Sequence, residues 1–197
     1  MANQDSPSGL KPVKHLNGNP WNGVANMYSI PVGNAAAIFI GDAVVSEGSA
    51  DATGKYPSIA GYVSGGGNLR GVVIGFSDQP FMAFDTSDLD RKYCPATTAM
   101  YALVVDDPDV IFEIQEDNDS GDLAATEVGG NADIAVTAGN TASGISGMEL
   151  DSSGVSTTAE AQLRIMGVVN REDNELGDYC KWLVKINEHE LRSTTGV

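Results

Sequence analysis

The sequence predicts an all-β protein, a β-sandwich or small barrel of short antiparallel strands with an extended N-terminal arm. Two observations predict this fold class. From Met27 onward, apolar residues come in short runs rich in β-branched and aromatic side chains, and glycine and Asx residues separate the runs, as in strands joined by turns. Several runs also alternate between apolar and polar residues with period two, which is the pattern of a strand with one buried face. We therefore predict an arm over residues 1–25 and a β-rich body over residues 26–197.

The arm differs from the body in composition. It holds three of the eight prolines and has little periodicity, which favours an extended segment. Its two lysines outnumber its one carboxylate, Asp5, so it is slightly cationic, whereas the whole chain has a formal net charge of -16. Two interpretations stay open: a flexible terminus, or an arm that lies on a neighbouring acidic subunit. If the arm acts in this second way, deletion of residues 1–20 is expected to leave the body folded and to weaken attachment to the neighbour. The candidate partner-contact residues are Lys11, Lys14, His15 and Trp21.

Nine runs of the body are predicted strands. In chain order they are MYSIPV (27–32), AAIFIGDAVV (36–45), SIAGYV (58–63), LRGVVIGF (69–76), AMYALVV (99–105), VIFEIQE (110–116), ADIAVTA (132–138), AQLRIMGVV (161–169) and YCKWLVKI (179–186). A capping box at Thr157 and Glu160 would favour a helix in the eighth run, but its alternation and Gly167 favour a strand. A loop-rich insertion, or a set of short edge strands, is predicted at about 117–158.

Period-two alternation assigns faces to some of these strands. In VIFEIQE, Val110, Phe112 and Ile114 share a dry face, and the opposite face is expected to be wet. In YCKWLVKI, Cys180 and Trp182 fall on the core side together with Val184 and Ile186. This register predicts that the Cys180 thiol is buried.

Two glycines predict curvature in the fourth strand. Gly71 and Gly75 interrupt LRGVVIGF, and glycine inside a strand commonly marks a bulge, a bend or a close backbone approach. A curved sheet or small barrel is therefore expected at this strand.

The charge and the cysteines exclude several classes of function. With 27 carboxylates against 11 lysines and arginines, the chain is not expected to bind DNA, RNA or bare anionic membranes. The N-terminal residues lack the apolar core of a secretory signal, and no run approaches the roughly 20 apolar residues of a membrane span, so synthesis in a cytosol is expected. Cys94 and Cys180 stand 86 positions apart, which fits two reduced, partly buried thiols rather than a zinc ligand set or a disulfide framework.

Catalytic motifs are not found in the sequence. His15 and His189 are the two histidines, one in the arm and one near the C-terminus, which disfavours a Ser-His-Asp or Cys-His arrangement. The glycines of GYVSGGGNLRG lack the GxxxxGK[ST] and GxGxxG spacings of phosphate-binding loops. We therefore predict a protein that is not an enzyme and uses no cofactor.

The stretch DDPDVIFEIQEDNDSGDL is the most acidic of the chain, with eight carboxylates in eighteen positions. A calcium site is the serious alternative to a solvated surface, since Asp117, Asp119 and Asp122 offer hard oxygen ligands in one loop. The spacing fails the EF-hand pattern, because Asp122 stands where glycine is needed and Val128 where glutamate is needed. A second acidic cluster, REDNELGD, lies between two predicted strands as a hairpin loop would. The preferred interpretation is surface, with no metal ligand predicted.

Several stretches together resemble a known class of protein. These are MANQDSPSGLKPVKHLNGNPWNG, AAIFIGDAVV with LRGVVIGF, LVVDDPDVIFEIQEDND, and LRIMGVVNREDNELGDYCKWLVKINEHELRSTTGV. They resemble the small virion structural proteins of tailed bacteriophages that serve as capsid decoration or cement proteins. The resemblance rests on overall pattern, is spread along most of the chain, and is weakest from about Gly129 to Thr158.

The resemblance implies a β-rich, often trimeric protein on the outer surface of the virion capsid. Such a protein would bridge subunits of the phage major capsid protein, after synthesis in the cytoplasm of the bacterial host. Two alternatives stay open, a phage tail, neck or fibre component and a calcium-dependent binding module. A shell-forming role is disfavoured, because no long spine helix is visible in the sequence.

Overall fold

Fourteen short strands and two 3₁₀ helices make up the regular structure in the described residues, which are 3–80, 91–119, 121–157 and 159–193 of the computed structural model. The 3₁₀ helices are Ala125–Glu127 and Glu190–Arg192. The strands are β1 Lys11–His15, β2 Asn26–Ile30, β3 Ile38–Phe39, β4 Ala43–Ala50, β5 Pro57–Gly61, β6 Gly71–Ser77, β7 Tyr93–Cys94, β8 Met100–Val105, β9 Val110–Gln115, β10 Asn131–Ala132, β11 Ile134–Ala135, β12 Glu149–Leu150, β13 Leu163–Val168 and β14 Lys181–Ile186. The all-β prediction is confirmed.

A closed five-stranded barrel forms the first half of the body. Its strand order is β2-β5-β4-β6-β8, and β8 pairs with β2 to close it. Four of its pairings are antiparallel, and β2 with β5 is parallel. The barrel interior is filled by an apolar cluster that includes Tyr28, Ile59, Val73 and Met100.

A five-stranded sheet forms the second half, with strand order β1-β9-β14-β13-β10. All of its pairings are antiparallel. One apolar cluster joins this sheet to the outside of the barrel, since it contains Phe112 and Trp182 from the sheet together with Leu69, Val72 and Val105 from the barrel side. The body is therefore a barrel wall packed on a sheet.

Gly71 lets two barrel strands approach closely. A Cβ at this position would lie 2.3 Å from the carbonyl oxygen of Val105 and 2.8 Å from Cγ1 of Val104, so no larger residue fits without movement. Gly75 follows a register shift in the pairing of β6 with β8. The expectation of a curved or barrel structure at this strand is confirmed.

Each of the nine predicted runs contains a strand, although two of them are divided. The run 36–45 is split into β3 and β4 at Gly41, which has φ +96. The run 132–138 is split into β10 and β11. The strands β1 and β7 lie outside the nine predicted runs. The short strands β10, β11 and β12 lie within 117–158, where a loop-rich insertion or a set of short edge strands is predicted.

The faces of two strands can be compared with their prediction. In β14 and just before it, Cys180, Trp182, Val184 and Ile186 are all buried, as predicted. The wet face predicted for β9 is wrong in part, because Ile111 and Gln115 are also buried. Gln115 is covered by residues of the N-terminal segment: its Oε1 accepts from Ser6 N at 3.1 Å and its Nε2 donates to Asp5 at 3.3 Å.

The predicted arm contributes to the sheet of its own chain. Residues 11–15 form the edge strand β1 against β9, and Leu10 is buried in the core. Asn3 is anchored farther along, where its side chain donates to the carbonyl oxygens of Glu175 and Asp178. Deletion of residues 1–20 would therefore remove a strand and a core residue, contrary to the expectation of a body unaffected by their loss.

No helix in the described part of the chain is long and apolar enough to cross a membrane.

Trp182 holds the centre of the sheet, where its ring is fully buried and its Nε1 donates to Oε2 of Glu116 at 2.9 Å. The Glu116 side chain is also buried, and burial raises its pKa to about 6. Loss of the ring would leave both a cavity and an under-satisfied carboxyl group.

We expect Trp182→Ala to lower the free energy of unfolding by about 3–5 kcal/mol, measured by urea denaturation. Trp182→Phe keeps most of the packing and removes the bond to Glu116, so its loss should be smaller. Trp21→Ala removes the same ring at a half-buried position packed against the apolar cluster that contains Trp182, so it should cost less than Trp182→Ala. An unfolding free energy unchanged in Trp182→Ala would contradict the assignment of this ring to the core.

Candidate functional site

Three carboxylates converge at one end of the sheet. Asp117 and Asp119 follow β9, Asp151 follows β12, and one oxygen of each lies within 4.8 Å of the other two. The loops are held together by the backbone, since Asp117 N donates to Leu150 O at 3.1 Å. Ser152 bridges the acids, with its N and Oγ donating to Asp117 Oδ1 at 3.0 and 2.9 Å and its Oγ to Asp119 Oδ1 at 3.3 Å.

Asp122, the third member of the loop considered from sequence, lies elsewhere. Its carboxyl group shares a hydrogen bond with Asp178, which raises the pKa of Asp122. Asp178 belongs to REDNELGD, so the two acidic stretches of the sequence meet through this pair. The structure therefore groups Asp151, not Asp122, with Asp117 and Asp119.

The surroundings of the three carboxylates are also acidic. The neighbouring Glu149 has its pKa raised to about 7 by burial and by the charges of Asp5 and Asp117. Hard oxygen donors in such a field could hold a divalent cation, of which calcium accepts the most irregular oxygen sets. Sequence reasoning missed Asp151 because it is 32 positions from Asp119, and no short-range spacing connects them.

The acids before β9 have structural partners instead. Asp106 is buried and accepts from Tyr28 Oη at 2.6 Å and from Asn26 Nδ2 at 2.8 Å. Arg70 completes this network, because its Nε donates to Tyr28 Oη at 2.7 Å. Asp109 pairs with Lys185 and Arg192. This part of the acidic stretch therefore ties the barrel to the sheet and the C-terminal 3₁₀ helix.

The two histidines have structural partners, and the two cysteines are buried. His189 is buried, its Nδ1 accepts from Leu191 N, and burial lowers its pKa to about 4. His15 Nδ1 lies 3.1 Å from Asp107 Oδ2. Cys94 and Cys180 are both free and buried, as predicted, and burial raises the pKa of each thiol to about 11. Thiols with such pKa values stay protonated at neutral pH and are poor nucleophiles.

The four candidate partner-contact residues lie in or next to β1. Lys11 is exposed, Lys14 is half-buried, and neither has an ion pair within the described residues. Trp21 is half-buried against the core, and its Nε1 donates to Val24 O at 3.2 Å. Sequence reasoning did not single out the exposed apolar residues of this segment, which are Val13, Leu16 and Val24.

No protein-family model, no curated protein and no solved structure matches the chain.

A buried carboxyl group at the corner between β3 and β4 makes stability depend on pH. Asp42 Oδ2 accepts from Phe39 N at 2.8 Å, and the Ser146 side chain also bonds to this group. Burial outweighs these two bonds and raises the pKa of Asp42 to about 6. An acid with a raised folded-state pKa contributes stability at low pH, and the contribution is lost as pH rises through the folded-state value.

We expect Asp42→Asn to remove this dependence, because asparagine can still accept from Phe39 N and does not ionise. Between pH 4 and pH 7, the unfolding free energy of Asp42→Asn should rise relative to that of the parent by about 2 kcal/mol. Urea denaturation across this range provides the measurement. Contributions common to both proteins, including that of His189, cancel in the difference. A constant difference would show that Asp42 titrates normally.

Proposed function

We propose that the chain is a non-enzymatic virion structural protein that decorates the outer capsid surface of a tailed phage and bridges its major capsid subunits. The resemblance of its sequence to capsid decoration proteins supports this proposal. The structural observation that carries it is the N-terminal segment, residues 11–24, which has exposed apolar side chains and two lysines without an ion pair within the described residues, on an anionic body.

This segment has the features of a contact surface. Val13, Leu16 and Val24 are 40%, 48% and 63% exposed, and Lys11 and Lys14 stand on the same segment. Apolar contact area with a few charges at its rim is the usual composition of a specific interface. A partner with complementary carboxylates would neutralise the two lysines and cover the apolar residues.

The acidic remainder of the body suits a surface exposed on a virion. A net charge of -16 disfavours contact with packaged DNA and favours solubility. Repetition of the major capsid subunits around a shell would multiply a modest contact through avidity, most effectively if the protein is a homotrimer.

We expect a double substitution, Lys11→Glu with Lys14→Glu, to weaken attachment to expanded capsids at least about tenfold, since like charges at an interface cost free energy. The capsids would be assembled from the major capsid protein encoded with this chain, and attachment would be measured by co-sedimentation. Charge reversal is preferred to deletion because β1 belongs to the folded sheet.

Lys55→Glu with Lys92→Glu is the matched control, since these lysines lie outside the N-terminal segment and should leave attachment unchanged. Failure of the parent protein to bind capsids would exclude the decoration role, and co-purification with tails would favour the tail, neck or fibre alternative. Equal loss in both double variants would assign the effect to net charge instead of the segment.

A calcium-dependent binding module is a second candidate function. The observation that favours it is the convergence of Asp117, Asp119 and Asp151 within 4.8 Å. A cation between these groups would tie the loop after β9 to the loop after β12 and offset their mutual repulsion.

If calcium binds there, adding it at about 100 times its dissociation constant should raise the melting temperature by about 5–10 °C relative to chelator. Differential scanning fluorimetry would record the shift. Asp119→Asn and Asp151→Asn should abolish the shift, whereas Asp122→Asn should keep it, because Asp122 bonds to Asp178. No shift in the parent protein would remove this candidate.

A further inference from the structure

Two Asn-Gly pairs lie in the segment that joins β1 to β2. They are Asn17–Gly18 and Asn22–Gly23, and all four residues are exposed. The chain has no other Asn-Gly pair. Because both dipeptides lie in the same segment, their reactivity can be compared directly.

An Asn-Gly pair can react with itself. The backbone nitrogen of the glycine loses its proton and attacks Cγ of the asparagine, and a new C–N bond closes a five-membered succinimide ring. The bond from Cγ to Nδ2 breaks, and the side-chain nitrogen leaves as ammonia with the proton. Water then opens the ring to aspartate or isoaspartate, so the net change is gain of water and loss of ammonia. Glycine is the favoured second residue because it has no Cβ to hinder the attacking nitrogen.

The two pairs are alike in most respects that bear on this reaction. Gly18 and Gly23 have φ +90 and +86, and a Cβ built at either glycine would meet no atom within 4 Å. Both asparagine side chains accept a hydrogen bond two residues ahead: Asn17 Oδ1 from Asn19 N at 3.0 Å, and Asn22 Oδ1 from Val24 N at 3.3 Å. Such a bond draws electron density from Cγ and makes the carbon more open to attack.

The attacking nitrogen distinguishes the two pairs. Gly18 N donates to His15 O at 2.9 Å, so this hydrogen bond must break before the nitrogen can reach Asn17 Cγ. Gly23 N has no acceptor within the described ranges of the chain. The nucleophile is therefore held back at the first pair and available at the second.

We propose that Asn22–Gly23 is a site of spontaneous deamidation, and that the bond from Gly18 N to His15 O protects Asn17–Gly18. The reaction converts Asn22 to a carboxylate beside Trp21 and Val24, whose turn is closed by the Trp21 Nε1 bond to Val24 O. It brings the charge of residues 1–25 from slightly cationic to neutral, and the isoaspartate product lengthens the backbone by one methylene.

The test is peptide mapping of the purified full-length chain, aged at mildly alkaline pH, with mass spectrometry of the peptides around each pair. Conversion raises the peptide mass by one dalton, and fragmentation assigns the change to Asn17 or Asn22. In the native protein we expect Asn22 to convert about fivefold faster than Asn17 or more, because breaking one backbone hydrogen bond adds to the barrier only at Gly18.

The same chain aged in denaturant is the control, and there the two rates should become equal. Asn22→Gln should remove the fast conversion and leave the slow one at Asn17. Equal native rates, a faster Asn17, or a rate ratio that persists after unfolding would each overturn the proposal.

Discussion

The packing of the barrel's outer wall on the five-stranded sheet is the contact on which the rest of the structure depends. One apolar cluster contains residues of both parts, so neither layer has a complete core on that side without the other. Close approach of β6 and β8 at Gly71 shapes the wall that meets the sheet. Trp182 fills the sheet side of this contact, and its bond to Glu116 places a carboxyl group inside the core. Burial of that group is costly. The indole and a backbone N–H both donate to its Oε2, whereas its buried Oε1 has no hydrogen-bond partner among the described residues.

The carboxylates near the two ends of β9 differ in whether basic side chains pair with them. Around Asp106 and Asp109, arginine and lysine side chains pair with the carboxylates and link separate elements. Near the opposite end of β9, Asp117, Asp119, Asp122 and Glu149 have no ion pair within the described residues: Asp122 bonds to Asp178, and Glu149 has a raised pKa beside Asp5 and Asp117. Unfavourable charge is thus concentrated among these four carboxyl groups, where a proton, a cation or a basic partner would relieve it.

The spacing of apolar residues and glycines within a strand predicted the features that this spacing determines, namely the buried face and the curvature of the strand. Alternation in YCKWLVKI fixed the buried face of β14, and the glycines of LRGVVIGF indicated a curved strand. Pairings between distant residues could not be predicted in this way. The segment Lys11–His15 has no apolar alternation and becomes a strand because β9 offers it an edge. Asp151 lies beside Asp117 and Asp119 because β12 bridges to the end of β9. Neither this bridge nor the cluster of three acids can be predicted from the spacing of the acids in the sequence.

The sheet draws its strands from both ends of the sequence, and this sets an order on folding during synthesis. The barrel uses residues 26–105, a continuous stretch that leaves the ribosome early and contains all of its own pairings. The sheet places β9 between β1 and β14, so its centre cannot form until residues 181–186 have been made. Until then β1 and β9 have a free edge, and the barrel wall that will carry the sheet remains uncovered. The nascent chain therefore passes through a stage in which β1 and β9 have been made but β14, which completes the centre of the sheet, has not.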